Sequence, residues 1–266
     1  MLSLKQIHKT YYPGQPNQQT ALIDINLHLE KKDFITVIGS NGAGKSTLLN
    51  IVAGDVQPDR GAVYFRDREI SSLPAERRAD FIGRVFQDPL AGTAADMTIA
   101  ENLALAQARG RRRGFRLALR AAGRQEFSRA LKNLDLGLEK RLDEPVGLLS
   151  GGQRQALTLF MAVMGSPQLL LLDEYIAALD PRTAEQIIAI SSSIIREKEL
   201  TVLLVTHDLQ QALRAGNRTI MMDRGEIILD VQKPQRDQLT VAGLLDKFAR
   251  VRGRELTEDR LLLQAR

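Results

Sequence analysis

Eight consecutive residues, Gly39, Ser40, Asn41, Gly42, Ala43, Gly44, Lys45 and Ser46, carry the plainest chemistry in the chain. The glycines let the backbone curl so that several N–H groups face one anion, and a helix beginning near Lys45 adds its positive N-terminal end. Lys45 is expected to reach the β- and γ-phosphates of a nucleotide, Ser46 to offer its hydroxyl to Mg2+, and Thr47 to add a phosphate contact. Ser150, Gly151 and Gly152, followed by Gln153, open a predicted helix and make a second natural anion site. The apolar run Leu169–Leu172 ends in Asp173 and Glu174, a pattern that holds two carboxylates rigidly at the edge of a sheet. Alone, such a run is equally an ordinary strand end. His207 follows another apolar run, where a lone histidine is ordinarily structural or solvated.

These groups need elements to position them. Phe34–Ile38 reads as a buried strand entering the glycine-rich loop, and Lys45–Val52 continues as a helix, the order a phosphate loop requires. Before it, apolar alternation through Leu2, Leu4 and Ile7, a turn at Pro13–Asn17 and the run Ala21–Leu29 predict short strands. Ala62–Ile70 predicts a hairpin and Ile82–Phe86 a buried strand ending at Gln87. From Asp88 to about Gly165 helical stretches dominate, including Ile99–Gln107, Gln125–Leu134 and Gln153–Met164, which predicts an inserted helical subdomain. Strands and helices then alternate: Leu169–Asp173, helix Arg182–Glu199, strand Thr201–Thr206, helix Leu209–Ala215, and strands near Ile220 and Ile228. From Val231 to Arg266, Leu244, Leu245, Phe248 and Val251 fall at helical spacing, which predicts a helical tail packed on its own domain.

The bulk composition bounds the rest. At 266 residues, with 44% hydrophobic and 26% charged residues, the chain suits one large α/β domain with an insertion. No apolar window approaches a membrane span and the start carries no apolar signal core, so the expectation is a chain that neither crosses a membrane nor is exported. Without cysteine there are no disulfides, thiolate metal sites or cysteine nucleophiles, and any metal must be held by oxygen or histidine. The net charge of +5 is uneven: Arg109, Arg111, Arg112, Arg113, Arg116 and Arg120 form one basic stretch. A solvated loop and helix face is its plain reading; lipid headgroups, an acidic protein partner and nucleic acid are the others.

Leu149-Ser150-Gly151-Gly152-Gln153 together with the phosphate loop resembles the ATP-binding-cassette (ABC) ATPases, and the match runs from Leu2 to about Asp230. The resemblance implies an α/β P-loop fold with a parallel core sheet, a small antiparallel β subdomain and a helical subdomain inserted at about 88–165. The cassette then covers 1–230 and the helical tail 231–266. It implies ATP and Mg2+ as ligands. Asp173 matches the family's Mg2+-coordinating aspartate, Glu174 its general base, and His207 the switch histidine that contacts the γ-phosphate and orients the water. Gln87 matches the glutamine that reaches Mg2+ and the attacking water. Tyr11 resembles the aromatic residue that stacks on adenine, with Tyr12 as the adjacent alternative. In the family the signature closes over the nucleotide of the opposite subunit, so a second copy of the chain is implied, with Asp180 in the loop crossing that interface. Tyr175, where proline is commonest, and Ala177, where serine is frequent, depart from the pattern without removing a catalytic group.

Finer stretches, among them Gly83-Arg-Val-Phe-Gln-Asp-Pro and Gly216-Asn-Arg, look similar to bacterial importer ATPases, some assigned to tryptophan or tyrosine uptake. That subgroup implies a separate membrane permease, a substrate-binding protein, no specific nucleic acid, and a cytoplasmic place on the inner face of the cell membrane. The competing class is a soluble ABC ATPase of DNA repair, translation or iron-sulfur assembly. Long coiled coils or fused tandem cassettes usually mark the first two, and the chain has neither.

Overall fold

The computed structural model describes residues 1–109 and 121–252, so the basic stretch beyond Arg109 lies outside the described residues, as does the side chain of Val251. In chain order the elements are β1 (Leu2–Tyr11), β2 (Gln19–Leu29), β3 (Phe34–Gly39), α1 (Lys45–Ala53), β4 (Arg60–Phe65), β5 (Arg68–Glu69), α2 (Ala75–Arg78), β6 (Ile82–Val85), α3 (Ile99–Gln107) and α4 (Ala121–Lys132). There follow α5 (Gly151–Met164), β7 (Leu169–Asp173), α6 (Pro181–Glu197), β8 (Thr201–Val205), α7 (Leu209–Arg214), β9 (Arg218–Asp223), β10 (Glu226–Gln232) and α8 (Val241–Arg252). They form two compact units, Met1–Ala75 with Thr201–Arg266, and Glu76–Leu200.

In the first unit an antiparallel sheet runs β2-β1-β4-β5, with Leu2 opposite both Leu29 and Phe65. Its strands alternate, burying Leu2, Leu4, Ile7, Ile25, Leu27 and Leu29. Strand β3 pairs in parallel with β8 on one side and β9 on the other, and β10 closes antiparallel on β9. Strands covered on both faces need near-continuous apolar sequence, and Ile35, Val37, Ile38 and Val202–Val205 supply it. The segment after Val231 is not helical from its start: β10 runs to Gln232 and a 3-10 turn spans Gln235–Gln238 before α8 begins. Helix α8 then lays Leu244 and Phe248 into a cluster with Ile38, Leu209, Ala212 and Met221. Burying two such side chains contributes roughly 1.5–3 kcal/mol each as an upper figure.

In the second unit β6 and β7 are parallel, Ile82 beside Leu169 and Val85 beside Leu172. Among the described residues between Asp88 and Gly165 there is no strand element. Thr98 caps α3 and shares a capping box with Glu101. Buried Asn102 receives the Ala94 N–H and donates to the carbonyls of Ala94 and Thr98, fixing the turn that leads into α3. Two helix starts lie one or two residues before the sequence reading for the same capping reason. Helix α5 starts at Gly151 because Ser150 is its N-cap, and α6 starts at Pro181 because Asp180 is its N-cap.

Candidate nucleotide site

The phosphate loop lies in the first unit, hung from the end of β3. A side chain at Gly39 would place its Cβ 2.2 Å from the Met222 carbonyl oxygen. One at Gly44, where φ is 98°, would lie 2.4 Å from that of Ala21, so both positions accept only glycine. Helix α1 begins with no side-chain cap and no acid in its first turn, a helix start whose positive end favours an anion. Lys45 is buried, and its Nζ donates to the carbonyls of Gly39 at 2.7 Å and Ser40 at 3.0 Å, which holds the ammonium against the loop. Ser46 is exposed and Thr47 half-buried.

The turn between β9 and β10 braces this loop, a role the sequence reading missed. Ser40 Oγ donates to Asp223 Oδ1 at 3.2 Å, and the Gly225 N–H donates to the Ala43 carbonyl at 3.1 Å. The available signal was the strand-ending Asp223-Arg-Gly225, which marks a turn but not its target.

His207 follows β8, whose Val205 is beside Val37 of β3, so the histidine stands past the carboxyl end of the strand next to the one that enters the loop. The backbone on either side of it is fixed. The Thr206 N–H donates to the Val37 carbonyl, Thr206 Oγ1 donates to Gln211 Oε1 at 2.6 Å, and Asp208 caps α7 through the N–H groups of Gln210 and Gln211. Tyr11 ends β1 opposite Gln19, with the Lys9 ammonium 5.7 Å from its ring centre. Tyr12 is more than half exposed, in left-handed backbone. Asp59 holds Lys9 at 2.7 Å and the Thr10 N–H at 2.6 Å. Burial pushes its carboxyl up, but the Lys9 and Thr10 hydrogen bonds outweigh that and leave it below its ordinary value.

In the second unit, all five residues of β7 are buried and Asp173 is its last. Arg84, inside β6, reaches Asp173 Oδ2 at 3.4 Å and stacks its guanidinium 4.6 Å from the centre of the Phe86 ring. This partner too was missed, although a charge within Ile-Gly-Arg-Val-Phe is the mark of a strand with a buried polar contact. Glu174 has φ 42°, left-handed backbone that costs a non-glycine residue roughly 1–3 kcal/mol. Its carbonyl accepts from the Ala177 N–H. Tyr175, one of the unusual positions, is buried with its hydroxyl 2.9 Å from Ser191 Oγ of α6; burial pushes its pKa up against the opposing pull of that bond. Gln87 is exposed just past β6, before Asp88 caps the turn Pro89–Gly92.

The signature and the Asp180 segment meet within this unit. Ser150 Oγ accepts from the Gln153 N–H, and Gln153 Oε1 accepts from the Ser150 N–H, both at 3.2 Å. Gln153 also takes a bond from Arg141 and gives one to the Leu136 carbonyl, so its amide serves the local frame. Ser150 and Gly151 are exposed, and Gly152 is buried against Thr183 of α6. Asp180 accepts from the Thr183 N–H at 3.0 Å, and the Thr183 hydrogen bonds hold its carboxylate below the ordinary value.

Residues 22–177, more than half of the chain, match the family model described as ABC transporter. The chain belongs to the ABC transporter family. It is an ATP-hydrolysing subunit with the family's α/β P-loop fold. It is 42% identical over 250 residues to the tyrosine transport ATP-binding protein of Clostridioides difficile, covering 93% of this chain and 98% of that relative. It is 34% identical over 209 residues to the spermidine/putrescine import ATP-binding protein PotA of Fusobacterium nucleatum, covering 78% of this chain and 52% of that longer protein. Among solved structures, the dimeric post-hydrolysis ATP-binding cassette MJ0796 bound to ADP and Pi superposes with a TM-score of 0.75 at 30% identity, over 87% of this chain and 98% of that one.

Proposed function

We propose that the chain powers amino-acid import, working as a pair of identical ATPase subunits beneath a separate transmembrane permease. The observation that carries the ATPase chemistry is Lys45, buried on the carbonyls of Gly39 and Ser40 beside a helix start with neither cap nor acid. A triphosphate entering that loop meets an ammonium and backbone N–H groups together. Supporting the amino-acid cargo is the tyrosine relative, similar along nearly its whole length. Supporting the pair is the dimeric cassette of the same fold.

Tyr11 stacks on adenine, and the backbone from Gly39 to Gly44 with Lys45, Ser46 and Thr47 holds the phosphates. Ser46, Gln87 and Asp173 offer hydroxyl, amide and carboxylate oxygens, a hard donor set that suits Mg2+, which when bound neutralises charge on the β- and γ-phosphates. Glu174 accepts the proton of the attacking water as general base, while His207 and Gln87 orient that water against the γ-phosphate. Ser150, Gly151 and Gly152 of one chain close on the nucleotide held by the other, Gln153 capping them from behind and Asp180 standing at the junction. The γ-phosphate contributes to both faces only in the closed pair, and such differential binding is what shifts a two-state equilibrium.

Among the described residues no helix is long and apolar enough to cross a membrane. On this reading the permease holds the chain at the inner face of the cell membrane, a substrate-binding protein delivers the cargo, and no specific nucleic acid takes part. The test is affinity purification of the Glu174→Gln protein from its native membranes with ATP, followed by mass spectrometry. A multispanning permease in the eluate, with tyrosine or tryptophan uptake lost on its deletion, is the expected result. Recovery of soluble or nucleic-acid-associated proteins alone would overturn the importer reading in favour of a soluble ABC ATPase.

A further inference from the structure

Arg236, in the turn between β10 and α8, is a buried cation, 4% exposed. Its Nη2 donates to the carbonyls of Ala212 at 2.7 Å and Leu213 at 3.0 Å and also to that of Ala215, which are the acceptors left open at the end of α7. Its Nε donates to Thr219 Oγ1 of β9 at 3.1 Å. Thr219 and Thr36 of β3 are both fully buried, their hydroxyls 2.8 Å apart, and Thr36 Oγ1 lies 3.2 Å from the Ala212 carbonyl oxygen.

One set of proton positions lets each hydroxyl donate once: Arg236 to Thr219, Thr219 to Thr36, and Thr36 to the Ala212 carbonyl that Arg236 also holds. The result is a closed buried ring joining β3, α7 and β9 to the Gln235–Gln238 turn. Thr36 is three residues before Gly39, where the phosphate loop begins. Ala212 lies within the six-residue helix whose N-cap, Asp208, directly follows His207. A helix that short moves as a unit, so displacing its C-terminal end displaces its N-cap as well. Packing repeats the connection, because Leu244 and Phe248 of α8 share one buried cluster with Leu209, Ala212 and Ile38.

The guanidinium is sited here at a cost. Burial pulls its pKa down against the opposing effect of Asp237, whose carboxylate is 3.9 Å away and half exposed. The guanidinium serves two sides at once, Nη2 on the carbonyls at the end of α7 and Nε on Thr219, and a lysine ammonium on those carbonyls has no second nitrogen for the Thr219 hydroxyl.

We propose that Arg236 is a positioning residue for ATP hydrolysis: it sets His207 in register with the phosphate loop, and through it the C-terminal segment tunes the γ-phosphate step. The inference rests on the role given to His207 above. A displacement of about 1 Å in a positioning group costs on the order of 10²-fold in rate, so the effect belongs in kcat.

The test is a double-mutant cycle on the full-length chain, with Arg236→Lys and His207→Ala singly and together, measuring ATPase kcat and KM, ATP affinity and melting temperature. Expected for Arg236→Lys is a kcat lowered by roughly 10- to 100-fold, with ATP affinity changed by less than about threefold. In the His207→Ala background the same substitution should cost nothing further. Thr219→Val, which removes one hydroxyl from the ring and keeps the arginine, should act in the same direction and stands in if Arg236→Lys does not fold. Losses that multiply in the double variant, or that fall on ATP affinity in step with melting temperature, would show a merely structural arginine. If His207→Ala itself turns over normally, the γ-phosphate role of His207 fails and takes this inference with it.

Discussion

Gly152 and Thr183 are in contact so close that a Cβ on the glycine would lie 2.2 Å from the threonine Cγ2. The start of the signature helix and the start of α6, with Asp180 at its cap, therefore pack as one surface within the second unit. Gly152→Ala should lower stability by about 1–3 kcal/mol, the usual cost of overpacking. Thr183→Ser in the same chain should restore most of it, since it removes the clashing methyl and keeps the hydroxyl. Thermal unfolding of the parent and the two variants checks this; equal melting temperatures for Gly152→Ala and the parent would mean that the contact yields freely.

Glu174→Gln should leave ATP binding intact and reduce turnover by about 10²- to 10⁴-fold, the range for losing a general base. With ATP it should accumulate as a dimer in sedimentation. Wild-type turnover in this variant would remove the proton-accepting role from Glu174.

Serine at position 150 does two jobs, and substitution can separate them. Aspartate caps a helix about as well as serine, whereas alanine costs roughly 1 kcal/mol. Ser150→Asp should thus keep the melting temperature and lose ATP-driven dimerisation, because its charge opposes the γ-phosphate. Ser150→Ala should lower the melting temperature and keep part of the dimerisation. A Ser150→Asp protein that still dimerises with ATP would contradict a signature used across the pair.

Asp59 makes stability near Tyr11 depend on pH in a known direction. Its folded-state carboxyl sits below the ordinary value of 3.8, so its contribution is complete above that pH and is lost as pH falls through the folded value. Asp59→Asn should therefore lower the urea midpoint at pH 7 and have a shrinking effect as the solution is taken toward pH 3. An offset that stays constant with pH would assign the loss to packing and not to charge.

What could be read from the chain depended on distance along it. Gly39–Ser46 are contiguous and each demand, on backbone, charge and hydroxyl, falls on a neighbour, so the loop and its strand and helix were legible. The Leu169–Asp173 run was legible because a strand buried on both faces must be apolar throughout. Helices α5 and α6 start a residue or two before the sequence reading because Ser150 and Asp180, residue types that also suit chemistry, are their N-caps. The Arg84–Asp173 pair spans 89 residues, and the Arg236 ring joins Thr36, Ala212 and Thr219. No local pattern names such partners, since each is chosen by the fold after strand order is set. For the same reason the strand near Ile228 has no legible end: its antiparallel pairing with β9, not its own pattern, carries it past Val231 to Gln232.

The brace on the phosphate loop comes from far downstream of it in the chain, Asp223 following Ser40 by 183 positions. A ribosome adding 5–20 residues per second takes about 10–40 s to cover that distance. During that interval the nascent chain carries every residue of the loop and lacks the turn that holds it. Bracing of the loop thus trails its synthesis, and a message truncated before Asp223 encodes a loop without its support.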